Sequence, residues 1–181
     1  AGSDSSIRYT ASVLAFVKTN TNIGTSGANP SYTNLPNATR TDGTARPFTE
    51  SLLKDVLQQG FTSGADFDML MVDGSQKQVV STFTGIATKT YQMNNAKKAA
   101  IIGAADVYVS DFGVLTVVPN RFQRHRDAFL FDFEYVELTY LRPFRTEELA
   151  KTGDATKQMI LVEYGLKIRA ENALGLVADL S

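Results

Sequence analysis

The sequence predicts an α+β fold, and three observations carry that prediction. Leu52, Leu53, Val56 and Leu57 form an apolar stripe at helical spacing, just after Thr49 and Glu50. Ile160, Val162, Tyr164, Leu166 and Ile168 share one face of a period-two segment, with Glu163, Lys167 and Arg169 on the other. From about residue 99 onward the chain is rich in Val, Tyr and Phe at strand spacing, so strands dominate where helices end.

Taken in order, Tyr9 to Thr19 reads as a short helix, with Val13, Leu14 and Val17 at helical spacing. Residues 19–47 are rich in Thr, Asn, Gly and Pro and carry no apolar period, the composition of a long surface loop. Thr49 then caps a helix that Gly60 or Gly64 ends. Met69–Val72 is a short apolar strand. Asp73-Gly74-Ser75 turns the chain, and Ser75 is placed to cap a second helix carrying Val79, Val80 and Phe83. Asp106–Ser110 and Val114–Val118 make a hairpin around Asp111-Phe112-Gly113, where Gly supplies the left-handed position of a three-residue loop. Ala128–Phe131 and Val136–Leu141 are further strands. Glu147–Lys151 has room for one helical turn before Gly153. Ala173–Leu180 is expected to continue the Ile160 strand after a bend at Gly175.

Composition narrows the function classes. The chain of 181 residues favours a single domain, and 43% hydrophobic residues suffice for a core. Eighteen Lys and Arg face nineteen Asp and Glu, so no global charge draws the chain to nucleic acid or to an anionic membrane. No cysteine is present, which excludes disulfides, thiolate metal sites and a cysteine nucleophile. No apolar run approaches the roughly 20 residues of a membrane-spanning helix.

The motifs that suggest chemistry fail when tested. Asp111-Phe112-Gly113 and His125-Arg126-Asp127 match two protein-kinase triplets, but in the wrong order. The position five residues after Asp127 holds Asp132 where a kinase needs Asn, and no GxGxxG loop is present. His125 is the single histidine, and no GxSxG elbow exists to pair it with a serine. Asp66, Asp68 and Asp73 lack the spacing of a calcium loop. No cofactor is expected. Arg121, Arg124 and Arg126 cluster, with Arg142 and Arg145 downstream. Such arginines grip phosphate or carboxylate. Ion pairing to Glu134, Glu137, Glu147 and Glu148 is the plainer use, given the balanced charge. A phosphate- or nucleic-acid-binding module built on Arg121–Arg126, with Phe122 and Phe129 as stacking platforms, stands as the alternative.

Several blocks together point elsewhere. DVYVSDFGVLTVVPNRFQR, then YLRPFRTEELAKTGD, then QMILVEYGLKIRAENALGLVADL resemble the C-terminal half of the major capsid (major head) proteins of tailed bacteriophages and prophages. FTESLLKDVLQQGFTSG and FTGIATKT resemble the same family in the same order. The resemblance implies the Hong Kong 97-type capsid fold, with an A-domain near the symmetry axes and an elongated P-domain. It divides the chain into a helix joining P-domain to A-domain at 1–20, a polar loop at 21–47, the A-domain at 48–158, and a long strand returning to the P-domain at 159–181. In that family an N-terminal arm, an extended loop and a spine helix precede the equivalent of residue 1, so the chain is expected to be a fragment.

The implied function is structural. Copies of the chain tile an icosahedral head as pentamers and hexamers, with decoration, scaffold and portal proteins as further partners. Packaged DNA is met only non-specifically, no membrane is involved, and no catalysis is expected. The implied location is the virion, after assembly in the bacterial cytoplasm. The expected subunit-contact residues are Arg121, Arg124, Arg126, Arg142, Arg145, Glu147, Glu148 and Lys151. Alternating charge in RPFRTEELAK would set register between neighbours more than it would add affinity.

Overall fold

A computed structural model describes residues 10–31, 39–83, 107–151 and 153–181. Among them lie two α-helices and eight strands, the strands forming a six-stranded sheet and a separate two-stranded ribbon. The class is α+β.

Helix α1 spans Glu50–Ser63. Thr49 occupies the N-cap position, but its hydroxyl meets that of Ser51 at 2.9 Å and caps no backbone N–H. Gly64 ends the helix at φ 84°, a conformation that costs glycine nothing. Gly60 serves packing instead: a Cβ there would sit 2.2 Å from the ring of Phe67. Helix α2 spans Gly74–Val80. Its cap is Asp73 and not, as expected, Ser75. The Asp73 carboxylate accepts the Ser75 N–H at 3.2 Å and the Ser75 hydroxyl at 2.6 Å, so Ser75 is the donor in that turn.

The six-stranded sheet holds β1 (Asn20–Asn22), β2 (Met69–Val72), β3 (Val107–Ser110), β4 (Gly113–Pro119), β5 (Asp127–Phe131) and β8 (Leu174–Ala178), in the order β1-β8-β5-β2-β4-β3. Strand β2 runs parallel to β4 and antiparallel to β5, with Leu70 opposite Val117 on one side and Leu130 on the other. Alternation along β5 splits its side chains between two cores. Ala128 and Leu130 join Leu53, Val56, Val72, Leu115 and Val177 in the larger one, roofed by the helices. Phe131 joins Val17, Leu174, Leu176 and Ala178 in the smaller one, with Phe129 and Leu14 packed against it.

The hairpin is confirmed over residues 107–119, but its loop is shorter than expected. Ser110 pairs directly with Gly113, leaving Asp111 and Phe112 as a two-residue turn. Gly113 opens β4 at φ 148°. The Ser110 hydroxyl accepts the Phe112 N–H at 3.2 Å and donates to the Gly113 carbonyl at 2.9 Å. Tyr9, Asp106 and the FTGIATKT stretch beyond Phe83 lie outside the described residues.

Four expectations need correction. The helix placed over Tyr9–Thr19 is, within the described residues, one 3-10 turn at Val13–Ala15. Val13, Leu14 and Val17 do pack inward, but the chain then enters β1, whose backbone pairs in parallel with β8. The polar stretch 21–47 is accordingly no free loop at its start. Asn20 is fully buried and donates through its amide to the carbonyls of Asn172 and Leu174 at 2.7 and 3.2 Å. The helical turn at Glu147–Lys151 is absent, because β6 runs on from Val136 to Glu148 and its backbone bonds go to β7 (Gln158–Ile168). The N–H of Leu149 still donates to the Lys157 carbonyl at 2.9 Å. Finally, 159–181 is two strands in two sheets. Strand β7 stops at Ile168, a 3-10 turn at Glu171–Ala173 redirects the chain, and β8 slots between β1 and β5. Gly175 makes no bend. It lies within β8 where a Cβ would meet Val56 at 2.9 Å.

Candidate subunit-contact surfaces

Seven of the eight residues expected at subunit contacts fall into two structurally different groups, and Arg121 stands apart. The first gathers around Asp179, a buried residue with φ 60°. Its carboxylate accepts the backbone N–H groups of Gly24 at 2.9 Å and Gly43 at 2.8 Å. Arg40 donates to the same carboxylate at close range, and Arg126 reaches it at 3.3 Å. The Arg40 side chain is 1% exposed, so this is an interior ion pair. Asp42 joins Arg40 at 3.1 Å and Arg124 at 2.6 Å. Buried Asp127 lies 3.4 Å from Arg124 and 3.8 Å from Arg40, and neither of its oxygens makes a hydrogen bond.

The environment drives the two buried aspartates in opposite directions. For Asp179, burial pushes the carboxyl up. The hydrogen bonds from Arg40, Gly24 and Gly43 outweigh it and leave the group below its ordinary value. For Asp127, burial raises the carboxyl, and the charges of Arg124 and Arg40 only partly oppose the rise. The cluster has a structural result. It clamps Gly24 and residues 40–46 onto the residues following β8, reinforced by Arg46 N–H to the Asp179 carbonyl at 2.8 Å and Ser181 N–H to the Arg46 carbonyl at 2.9 Å. Close packing supports it: a Cβ on Gly24 would lie 2.4 Å from the Thr44 carbonyl.

Arg124 and Arg126 are thus engaged inside the subunit, with Asp42, Asp127 and Asp179 as partners and not the glutamates the sequence suggested. Their engagement leaves the nucleic-acid reading unsupported. Arg121 is exposed beside Phe122, and its side chain has no ion pair among the described residues. His125 is exposed, and its carbonyl accepts from the amide of Gln76 at 3.1 Å. The same Gln76 amide donates to the Ser181 carbonyl at 3.1 Å, a buried tie that no sequence pattern signals.

The second group lies on the β6–β7 ribbon. Directly opposed residues share a face, so the register sorts the side chains. Glu137 stands opposite Lys167 at 3.1 Å and also binds Arg169. Arg142 stands opposite Glu163 at 3.1 Å, and Arg145 bonds Glu147 at 2.6 Å. These pairs line one face. Lys167 first, then Arg169, holds the Glu137 carboxyl below its ordinary value. Glu148 and Lys151, near the ribbon tip, are exposed. Two register shifts, between Tyr140 and Arg142 and between Arg142 and Arg145, bulge β6 in the middle of RPFR.

Among the described residues no cluster of three or more His, Asp or Glu is placed to hold a metal. No helix there is long and apolar enough to cross a membrane. The described residues thus form an open six-stranded sheet with two helices and a separate two-stranded ribbon. The SU10 major capsid protein family matches residues 1–181, and the chain belongs to that family. No curated protein matches it. The role is structural: the chain is a phage major capsid protein, a component of the viral shell.

Proposed function

We propose that the chain adopts the Hong Kong 97-type capsid fold and tiles an icosahedral head, as pentamers and hexamers, around packaged DNA. The observation that carries the reading is the capsid-family match along all 181 residues. In this reading the A-domain, expected over residues 48–158, is the six-stranded sheet with α1 and α2, residues 24–27 and 40–46 held on its rim, and β8, while β6 at Val136–Glu148 leaves it for the ribbon. The β6–β7 ribbon is the part that belongs with the P-domain. Residues 159–181 then divide between the two, with β7 in the ribbon and β8 in the sheet.

The contacts between subunits are assigned to Arg121, on an exposed turn, and to Arg142, Arg145, Glu147, Glu148 and Lys151 along the ribbon. Arg124 and Arg126 contribute indirectly, by holding Asp42 and Gly43 in place. Decoration, scaffold and portal proteins complete the set of partners. A near-neutral chain suits a shell that surrounds DNA without gripping it. Assembly proceeds in the bacterial cytoplasm with no chemical step assigned to this chain and no membrane.

The test is direct. Purified virions are imaged by cryo-electron microscopy and their shell protein is identified by peptide mass spectrometry. The expected result is an icosahedral lattice whose repeating density fits the sheet and ribbon of this chain. A shell made of another protein, or a particle lacking icosahedral order, overturns the proposal.

A further inference from the structure

Two Asp–Gly steps occur in the chain, Asp42-Gly43 and Asp73-Gly74. Such a step carries its own chemistry. Glycine has no side chain to shield its backbone nitrogen, so that nitrogen can attack the Cγ of the preceding aspartate. A C–N bond forms, the C–OH bond of the carboxyl breaks, and the nitrogen's proton leaves with the hydroxyl as water. The product is a cyclic succinimide. Water then opens it at either carbonyl, giving back aspartate or giving isoaspartate, in which the backbone runs through the side chain. Water is the sole co-reactant, and the net mass is unchanged.

The fold treats the two steps differently. At Asp42-Gly43 the groups the reaction would use are held. The Gly43 N–H donates to Asp179 at 2.8 Å, and the Gly43 carbonyl accepts from Arg126 at 2.6 Å. The Asp42 carboxylate accepts from Arg40 at 3.1 Å through one oxygen and from Arg124 at 2.6 Å through the other. The flanking backbone is fixed as well. Thr41 and Ala28 exchange two N–H···O bonds of 3.0 Å, and the Thr44 N–H donates to the Thr25 carbonyl at 2.8 Å. Attack requires the peptide plane between Asp42 and Gly43 to turn its nitrogen toward Cγ, and that turn breaks the bond to Asp179. Packing explains why glycine stands there: a Cβ on Gly43 would lie 2.7 Å from the Gly24 carbonyl oxygen and 2.8 Å from the Gly27 nitrogen. At Asp73-Gly74, by contrast, a Cβ on Gly74 would meet nothing within 4 Å, and the Asp73 carboxylate is tied to Ser75 of its own turn.

We infer that Asp42 is a latent modification site, where isoaspartate forms once the Asp179 cluster opens and where the closed cluster keeps that reaction slow. The cluster therefore has a chemical role beside its structural one. The modification acts in one direction. Isoaspartate adds a methylene to the backbone just where Gly43 has no room, so an isomerised chain cannot close the cluster as before. A subunit that has opened thus carries a lasting mark of having done so. The site is independent of how subunits pack, since the groups that restrain it belong to one chain.

The experiment incubates the purified full-length protein at neutral pH, folded and unfolded in guanidinium chloride. Isoaspartate at both steps is followed by peptide mapping, with fragmentation that separates the isomers. Folding is expected to slow formation at Asp42 by about tenfold or more, as a segment that reacts only on local opening requires. Asp179→Ala frees the Gly43 N–H. It is expected to raise the folded-state rate at Asp42 by about threefold or more while the rate at Asp73 stays within about twofold of wild type. Where that variant does not fold, Arg124→Gln takes its place with the same expectation, since it frees one Asp42 oxygen by changing a half-exposed side chain. A folded wild-type rate at Asp42 within about threefold of the unfolded rate overturns the inference. So does a folded variant whose Asp42 rate stays at the wild-type value, or one that speeds both steps alike and so reports general loosening.

Discussion

The Asp179 cluster and the β6–β7 ribbon invert the usual placement of charge and oil. Around Asp179, Arg40 and Asp179 are taken out of water, and the Asp179 carboxylate is satisfied by Arg40, Arg126 and two backbone N–H groups. On the ribbon, leucine, isoleucine and tyrosine stand in water while the charges beside them are paired. The difference teaches where each region's contacts are made. The cluster completes its interactions inside the subunit and fixes loops. The ribbon exposes Leu138, Tyr140, Ile160 and Tyr164 on one face while the charges of the other face pair with one another.

The sharpest way to break this comparison is Asp179→Ala. It removes the acceptor for Arg40, Arg126, Gly24 and Gly43 and takes from the 1%-exposed Arg40 its buried Asp179 partner, leaving Asp42 and the more distant Asp127. Loss of about 3–5 kcal/mol is expected in urea unfolding of the unassembled protein. A loss below about 1 kcal/mol would mean that the cluster does not hold Gly24 and residues 40–46. Next in size is Gly24→Ala, whose new methyl group meets the Thr44 carbonyl at 2.4 Å. A cost of about 1–3 kcal/mol is expected by the same measurement.

Titration gives a finer test, since the two buried aspartates have opposite signs. Asp127 is raised in the fold, so stability attached to it is full below its ordinary value of 3.8 and is lost as pH rises through its raised value. Asp179 is lowered, so its contribution is present above 3.8 and is lost as pH falls through its depressed value. Asp127→Asn should flatten the stability curve just above pH 3.8 and leave the loss below it in place. A variant that flattens the acid limb instead would reverse the assignment. The smallest effect belongs to the ribbon. Glu147→Lys with Glu148→Lys should change the stability of the unassembled subunit by less than about 0.5 kcal/mol, because these charges are solvent-exposed. Its effect should appear only in shell geometry, as misaligned or aberrant particles under the electron microscope.

Much of this was legible in the sequence where one element controls its own pattern. The apolar stripe of α1, the Met69–Val72 strand and the alternation of β7 all show in the fold. The hairpin at Asp111-Phe112-Gly113 did too, with only its loop length misjudged. Elements defined by partners far along the chain were not. Strand β1 is Asn-Thr-Asn, which carries no strand signal; its backbone partner is β8, some 150 residues away. The bulges in β6 break its alternation, so the expected strand stopped at Leu141 and a helical turn was placed at Glu147–Lys151. The Asp179 cluster joins Arg40, Asp42, Arg124 and Arg126 across separations that no local window spans. The Arg cluster itself was visible, but its use was set by those distant acids.

The position of β8 governs when the subunit becomes whole. It is inserted between β1 and β5, so among the described residues β1 has no neighbouring strand until residues 174–178 have emerged from the ribosome. Earlier strands can form β2, β4 and β5 pairings, but the rim of the sheet waits for the final stretch of this segment. Synthesis therefore acts as a timer: a nascent chain cannot offer a finished sheet to neighbours on the same polysome.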